Sequence, residues 1–397
     1  MVMGGCAERE SAGPTPQMDI EPQFWVRVLL LDDTADCALK TYSPFTVLDP
    51  NTQTRRAYFA GADEPLRLSI SAGRITIGQQ CFTDNEIVIF PDSPHIFNLN
   101  GNDYRGKLKL VINSDGNSLD VINMVPVEPY LAGVISAEMP DYWEPEALKA
   151  QTIAARTYCL YIKKRFGAER SWDISKTQAH QVYRGIAAES AQVWDAVNRT
   201  KGRVLVCKQD EGLKDIFPAY YSSTCGGHTE NSKNLWGDCF EPLAGVPCPY
   251  CRYVAKAKYF FWPMVQLDKA DVTKRLLDRY PKLNELGEIK NITPVQQSNY
   301  GEFSRLTLIK LVGSTGKSDF LRAEDFRLAL DPGGEALRST ICQITEMGSN
   351  WAFLYGRGYG HGVGMCQCGA EGMAREGKTA SQILRYYYPG SKIVTIY

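Results

Sequence analysis

Short segments of alternating apolar and polar residues fill positions 24 to 124 of this chain. The alternation is clearest in segments 67–71 and 107–112, and clusters of Gly, Asn, Asp and Ser separate one segment from the next. A period of two places the apolar side chains on one face of a β-strand. The sequence therefore predicts a β-rich lobe over residues 24–124.

Helical patterns follow this lobe. A short amphipathic segment begins near Pro129 and is ended by Pro140, and an alanine-rich segment from Pro145 to about Phe166 stops at Gly167. Further strands and helices come in blocks rather than in strict alternation. This order is typical of an α+β protein, with a central helical lobe and a mixed C-terminal part within residues 125–397.

Composition excludes some classes of function. The formal net charge is −1 and no basic stripe is present, which disfavours nucleic acid as a partner. No apolar run approaches the roughly 18 residues of a membrane span. Residues 1–23 predict a flexible tail in which the small residues before Cys6 resemble the end of a lipoprotein signal. An incidental cysteine in a disordered tail is the alternative, and we expect membrane attachment only through such a lipid anchor.

Two pairs of metal-ligand residues lie about twenty positions apart in the loop 222–251. Cys225 and His228 form a Cys-x2-His pair, and Cys248 and Cys251 form a Cys-x2-Cys pair. Two such half-sites are typical of a tetrahedral structural zinc ion. Cys239 could replace one ligand, and disulfides among these cysteines are the alternative.

Glu138 is the candidate catalytic acid. It follows Leu131, Val134 and Ile135 by seven, four and three residues, which places it at the end of the apolar stripe of the short helix. Partial burial favours the neutral form of a carboxyl group, which general-acid cleavage of a glycoside requires. A helix-end glutamate that faces water is the alternative. Arg156, on the alanine-rich helix, could orient a sugar or a carboxylate.

A glycine-dense loop at 356–364 carries His361 and precedes Gln367. Because no Walker pattern is present, phosphate binding is disfavoured. We expect the loop to present His361 and Gln367 beside a sugar; a tight structural turn with His361 bonded to the backbone is the alternative. The chain has no serine-hydrolase elbow and no His-Glu-x-x-His helix.

Four motifs in order resemble the stage II sporulation protein D family, which is related to the amidase-enhancer proteins. They are Ala-Gly-Val-Ile-Ser-Ala-Glu-Met-Pro at 132–140, Ala-Leu-Lys-Ala-Gln-Thr-Ile-Ala-Ala-Arg-Thr-Tyr at 147–158, Tyr-Ser-Ser-Thr-Cys-Gly-Gly at 221–227 and Gly-Tyr-Gly-His-Gly-Val-Gly-Met at 358–365. The resemblance covers about residues 24–397. It departs from the common form at Cys366 and Cys368, where the family usually shows Ser and Tyr.

The resemblance implies a role for several residues. Glu138 falls on the catalytic glutamate of the family and Arg156 on an arginine that the family needs. Tyr221 and Ser223 then join His361 and Gln367 as expected substrate contacts. Some members bind zinc near the Gly-Gly motif, and one of their ligands is often a His where this chain has Ser222.

The resemblance implies a lytic transglycosylase, and the single candidate carboxyl group fits such a reaction. Its substrate would be peptidoglycan glycan strands stripped of stem peptides, cleaved between N-acetylmuramic acid and N-acetylglucosamine to leave 1,6-anhydro ends. The alternative is a non-catalytic module that binds glycan and activates a cell-wall amidase. Either function predicts an extracytoplasmic protein of the cell envelope.

Overall fold

The computed structural model describes residues 24–61, 64–208 and 214–397. The predicted tail 1–23, with Cys6, lies outside these residues. The chain forms two compact units. The first comprises residues 24–142, 155–202 and 397, and the second comprises Trp143–Ala154 and Arg203–Ile396. The predicted β-rich lobe 24–124 is part of the first unit, which also contains the segment that carries Glu138.

Two antiparallel-rich sheets dominate the first unit. Their strands are β1 (Trp25–Thr34), β2 (Asp36–Thr41), β3 (Phe45–Leu48), β4 (Arg55–Phe59), β5 (Leu66–Ser71), β6 (Arg74–Ile77), β7 (Gln80–Phe82), β8 (Glu86–Pro91), β9 (Ile96–Leu99), β10 (Asn102–Arg105), β11 (Lys107–Ile112), β12 (Leu119–Pro126) and β13 (Ile174–Ser175). One sheet has the order β13-β1-β12-β11-β8-β3-β4 and the other β10-β9-β2-β5-β6-β7. In the first sheet β1 pairs antiparallel with β12, with Val26 opposite Val125.

Helix α1 (Val127–Glu138) follows directly from β12, so the sheet fixes where the helix begins. It ends because Met139 adopts an extended conformation before Pro140. Helix α2 (Pro145–Phe166) has the predicted bounds and is buried from Ala150 to Leu160. Helix α3 (Ala191–Arg199) is capped by the preceding Ser190, whose side chain accepts a hydrogen bond from the amide of Val193.

The second unit consists of smaller sheets and short helices. Its strands are β14 (Arg203–Lys208), β15 (Lys214–Ile216), β16 (Tyr221–Ser222), β17 (Phe261–Trp262), β18 (Val265–Asp268), β19 (Ile289–Asn299), β20 (Ser304–Gly313), β21 (Ser318–Arg322), β22 (Gln343–Met347), β23 (Asn350–Leu354), β24 (Gly356–Arg357), β25 (Met365–Cys366) and β26 (Lys392–Thr395). Its helices are α4 (Ser232–Trp236), α5 (Cys251–Val254), α6 (Ala257–Phe260), α7 (Lys269–Arg279), α8 (Ala323–Leu330), α9 (Gln367–Arg375) and α10 (Ala380–Tyr387).

A hydrophobic core in the second unit joins the strands β19 to β21 to helices α7 and α8. Leu276 of α7, Ile309 of β20 and Leu330 of α8 are nearly or fully buried in it. This core stabilises the region between the cysteine loop and the glycine-dense loop, which both belong to the same unit.

The α+β fold class predicted from the sequence is confirmed. Strand β15 ends at Ile216 and strand β16 begins at Tyr221, so residues 217–220 separate two short strands. Among the described residues, no helix combines the length and apolar character that crossing a membrane requires.

Candidate active site and metal centre

Glu138 is the last residue of α1, and its side chain is half-buried. The backbone N–H of Val182 donates a hydrogen bond of 2.8 Å to its Oε1 atom. Burial raises the pKa of Tyr158, and electrostatic interactions with Cys159 and Glu138 raise it further. The Glu138 carboxyl group therefore has one oxygen held by the backbone and an aromatic hydroxyl group within electrostatic range.

Arg156 lies in α2 and is completely buried. Its Nε and Nη2 atoms donate to the two carboxylate oxygens of Glu128, at 3.1 and 2.5 Å. The Glu128 carboxylate also accepts hydrogen bonds from the amide of Gly202 at 3.2 Å and from the hydroxyl group of Tyr397. Because Glu128 belongs to the first turn of α1, Arg156 fixes the helix that carries Glu138.

The four cysteines Cys225, Cys248, Cys251 and Cys366 form a buried cluster in the second unit, with all sulfur atoms within 4.8 Å of one another. Such a group could hold a metal ion. Four sulfur atoms at about 2.3 Å from a tetrahedral zinc ion are about 3.8 Å apart, and the Sγ atoms of Cys225 and Cys251 are 3.8 Å apart. The residues present therefore fit a closed four-thiolate zinc site.

Three of these residues are those the sequence predicts, and the fourth is different. His228 is not part of the cluster. Its Nδ1 atom contacts the carbonyl oxygen of Thr229 at 2.7 Å, and its ring stacks on Tyr300 with centroids 4.0 Å apart. Cys239 is exposed and also lies outside the cluster. Cys366 supplies the fourth sulfur atom. It lies in β25, which pairs in parallel with β16, and Cys225 follows β16 closely along the chain.

The thiols of the cluster differ in the direction of their pKa shifts. Burial raises the pKa of the Cys225 and Cys366 thiols well above the usual range. Hydrogen bonds from the neighbouring thiols hold the pKa of Cys248 well below it. Four thiolates cannot share one buried space without a cation, so a bound divalent ion would supply the charge that the cluster lacks.

The predicted substrate contacts lie in two neighbouring segments of the second unit. Tyr221 pairs with Met365 across the β16–β25 bridge, and the carbonyl oxygen of Ser223 accepts a hydrogen bond of 3.0 Å from the amide of Cys368. The side-chain nitrogen of Gln367 is buried without a hydrogen-bond partner among the described residues. Tyr221, Ser223 and Gln367 are thus brought into one region.

His361 is half-buried and held by the backbone of its own loop. Its Nδ1 atom accepts a hydrogen bond of 3.0 Å from the amide of Val363, and its ring lies 5.1 Å from that of Trp236. Gly362 has a φ of 78°, and a Cβ atom there would lie 2.4 Å from the guanidinium of Arg305. The loop is therefore packed tightly against its surroundings, which agrees with the alternative of a structural turn.

Comparison with known proteins supports the resemblance. A model of the stage II sporulation protein family matches residues 115–207. A stage II sporulation protein D from Bacillus subtilis (strain 168) is 30% identical over 287 residues, which cover 68% of this chain and 75% of the relative. The chain therefore belongs to the stage II sporulation protein D family.

Two further relatives extend the comparison. An uncharacterized protein from Brachyspira hyodysenteriae is 34% identical over 304 residues, which cover 75% of this chain and 74% of that protein. An amidase enhancer from Bacillus subtilis (strain 168) is 28% identical over 370 residues, which cover 83% of this chain and 50% of that protein.

Proposed function

We propose that this protein cleaves peptidoglycan glycan strands as a lytic transglycosylase, with Glu138 as the only acid and base. The observation that carries the proposal is the position of Glu138. It is a half-buried carboxyl group at a helix end, with one oxygen fixed by the amide of Val182. A fixed carboxyl group that is partly shielded from water suits general-acid catalysis.

The reaction balances with this single carboxyl group. Glu138 gives its proton to the oxygen that links N-acetylmuramic acid to N-acetylglucosamine, and the bond from C1 to that oxygen breaks through an oxocarbenium-like transition state. The C6 hydroxyl oxygen of the same muramic residue then bonds to C1. Its proton returns to Glu138, so no water is consumed and a 1,6-anhydro end remains.

The settings of Glu144 and Glu146, two of the acidic residues that follow Glu138, support a mechanism with one carboxyl group. Glu146 pairs with Lys149 and accepts a hydrogen bond from the amide of Ala380. Glu144 is exposed. A lysozyme-like hydrolase would require a second carboxylate with a catalytic role.

Arg156 supports this activity by positioning. Because its guanidinium is buried against Glu128, we propose that Arg156 holds α1 in place and does not contact the sugar.

The cysteine cluster would bind zinc through Cys225, Cys248, Cys251 and Cys366. Zinc with four protein ligands stabilises a fold and leaves no position for a catalytic water.

The experiment is mass spectrometry of the products from denuded glycan strands. We expect 1,6-anhydromuramic ends from the natural protein. The rate should fall by at least about 10²-fold in Glu138→Gln, which keeps an acceptor for the Val182 amide but has no acidic proton. The matched control is Glu144→Gln, which neutralises an exposed carboxylate six residues further along the chain. Anhydro products at an undiminished rate from a folded Glu138→Gln protein would refute the assignment.

The second candidate function is a non-catalytic activator of a cell-wall amidase. The amidase enhancer that matches over 83% of this chain favours it. An activator should release no anhydro ends, should bind glycan strands and should stimulate an amidase equally well with Glu138 or Gln at this position. For either function we propose a location outside the cytoplasm, where the cell wall is.

A further inference from the structure

The segment 181–184 has no regular secondary structure, yet each of its four residues is hydrogen-bonded to a residue of β12, α1 or α2. The amide of Val182 donates to Glu138, as described above. The hydroxyl group of Tyr183 donates to Asn123 of β12 at 2.9 Å, and the amide of Arg184 donates to the carbonyl oxygen of Gly133 at 3.0 Å. The backbone of this segment is therefore placed with little freedom.

Gln181 makes the remaining connection, and it is completely buried. Its Oε1 atom accepts a hydrogen bond of 3.0 Å from the hydroxyl group of Tyr130 in α1. Its Nε2 atom donates at 3.2 Å to the carbonyl oxygen of Ala155 in α2. One side-chain amide thus joins the helix that carries Glu138 to the helix that carries Arg156.

We propose that Gln181 is a positioning residue that holds the Val182 amide against the catalytic carboxyl group. The proposal rests on the proposed role of Glu138. The peptide bond between Gln181 and Val182 provides the N–H that reaches Glu138, so a shift of the Gln181 side chain moves that donor directly. Displacement of a reacting group by about 1 Å can reduce a rate by about 10²-fold.

A fixed amide has two effects on the carboxyl group. It selects one orientation of Glu138, so that the proton is delivered from a defined direction. It also stabilises the ionised state that exists after the proton has left, since a hydrogen bond to a carboxylate favours the charged form. Both effects act on turnover more than on the binding of the glycan.

The test compares Gln181→Met, which keeps the side-chain length without hydrogen bonding, with Tyr130→Phe, which removes the hydroxyl group that donates to Gln181. Two readouts are measured: kcat and KM on soluble denuded glycan oligomers, and deuterium uptake of the peptide that contains Val182. The matched control is Thr200→Val, because it also removes a buried hydrogen bond of the first unit, the one from Thr200 Oγ1 to the carbonyl oxygen of Ala196 at 2.8 Å.

We expect Gln181→Met to lower kcat by about 10- to 100-fold with KM changed less than about twofold. Tyr130→Phe should lower kcat severalfold. The double variant should lose less than the product of the two effects, because one bond is common to both. Deuterium uptake at Val182 should rise in both variants and stay unchanged in Thr200→Val. If Gln181→Met does not fold, Tyr130→Phe decides the question by the same two readouts.

The proposal is overturned if the folded variants keep kcat within about twofold of the natural protein, or if uptake at Val182 does not change. Failure of the proposed function has a different result, because the natural protein would then release no anhydro ends. In that case deuterium uptake alone decides whether Gln181 holds the Val182 amide.

Discussion

The surroundings of Glu138 and the cysteine cluster restrain their functional atoms in different ways. Glu138 is half-buried, and hydrogen bonds from other segments fix it. The amide of Val182 donates to one oxygen of its carboxyl group. Gln181 and Arg156 contact other residues of α1, the helix that carries Glu138. The four cysteines are nearly or fully buried, and their sulfur atoms lie within 4.8 Å of one another. Under the proposed function, the first region acts on a glycan and the second stabilises the fold.

If the cysteine cluster stabilises the fold through a bound metal ion, removal of that ion should change the stability more than any of the substitutions below. Structural zinc contributes on the order of 10 kcal/mol to folding of small domains, so chelation should lower the melting temperature by about 10 °C or more. Cys366→Ser should lose most of its zinc in elemental analysis, whereas His228→Ala should keep about one ion per chain. If His228→Ala instead lost its zinc and Cys366→Ser kept it, His228 would be the fourth ligand in place of Cys366. A protein that contains no metal when purified under reducing conditions would remove the metal centre altogether.

The next largest effect is expected in the first region, at the buried ion pair. Arg156→Met leaves the Glu128 carboxylate buried without its cation, which typically costs about 3–5 kcal/mol of the free energy of unfolding. Urea denaturation measures this loss. Combining Arg156→Met with Glu128→Gln should recover part of it, since Gln still accepts from Gly202 and Tyr397. An unchanged unfolding midpoint in Arg156→Met would show that Arg156 does not anchor α1.

A smaller change should follow from Gly133→Ala in α1. Helix propensity alone predicts stabilisation by about 1 kcal/mol. A Cβ atom at this position would, however, lie 2.5 Å from the ring of Tyr183 and 3.1 Å from the carbonyl oxygen of Gly185. We therefore expect destabilisation by about 1–3 kcal/mol, measured by thermal unfolding. A stabilised variant would mean that segment 181–185 can move away from α1, which would weaken the case for a fixed Val182 amide.

The smallest predicted effect concerns pH and the glycine-dense loop of the second unit. Burial lowers the pKa of His361 to about 4, while Glu324 raises it and Arg305 and Arg327 lower it. Because the folded-state pKa lies below the ordinary value of about 6.5, the unfolded chain binds the proton first. Stability from the neutral His361 is therefore present above about pH 6.5 and is lost as pH falls toward 4.

His361→Gln removes this dependence. The difference in unfolding free energy between the natural protein and His361→Gln should change by about 1 kcal/mol from pH 7 to pH 5.5. Urea denaturation at the two pH values measures it. A difference that is constant across this range would indicate that His361 takes up its proton equally in both states.

Local patterns were enough to predict the elements on which the carboxyl site is built. Pro145 and Gly167 give the bounds of α2, because proline and glycine act through their own backbone conformation. The spacing of apolar residues places Glu138 on its helix. The partners of the site could not be predicted in the same way. Glu128 bonds to a residue 28 positions away, and Gln181 bonds to one 26 positions away. No local sequence pattern around Glu128 or in the irregular segment 181–184 indicates these contacts.

The candidate metal ligands show the same limit. The spacing between Cys248 and Cys251 is local and predicts two neighbouring ligands, and Cys225 joins them. Whether His228 or Cys366 is the fourth ligand depends on the pairing of β25 with β16. The local spacing of residues in the sequence does not reveal that pairing. The one available indication was that Cys366 departs from the usual form of the family.

The pairing of β16 with β25 has an evolutionary consequence. Ser222 and Cys366 are direct partners in this parallel bridge, and the family resemblance implies a histidine ligand at position 222 in some members. A ligand lost from one strand can thus be replaced from the position opposite it, with the centre of the site little displaced. We expect the two positions to covary across homologous sequences: histidine at 222 with a non-ligand at 366, or cysteine at 366 with a small residue at 222. An alignment in which the two vary independently would speak against such an exchange.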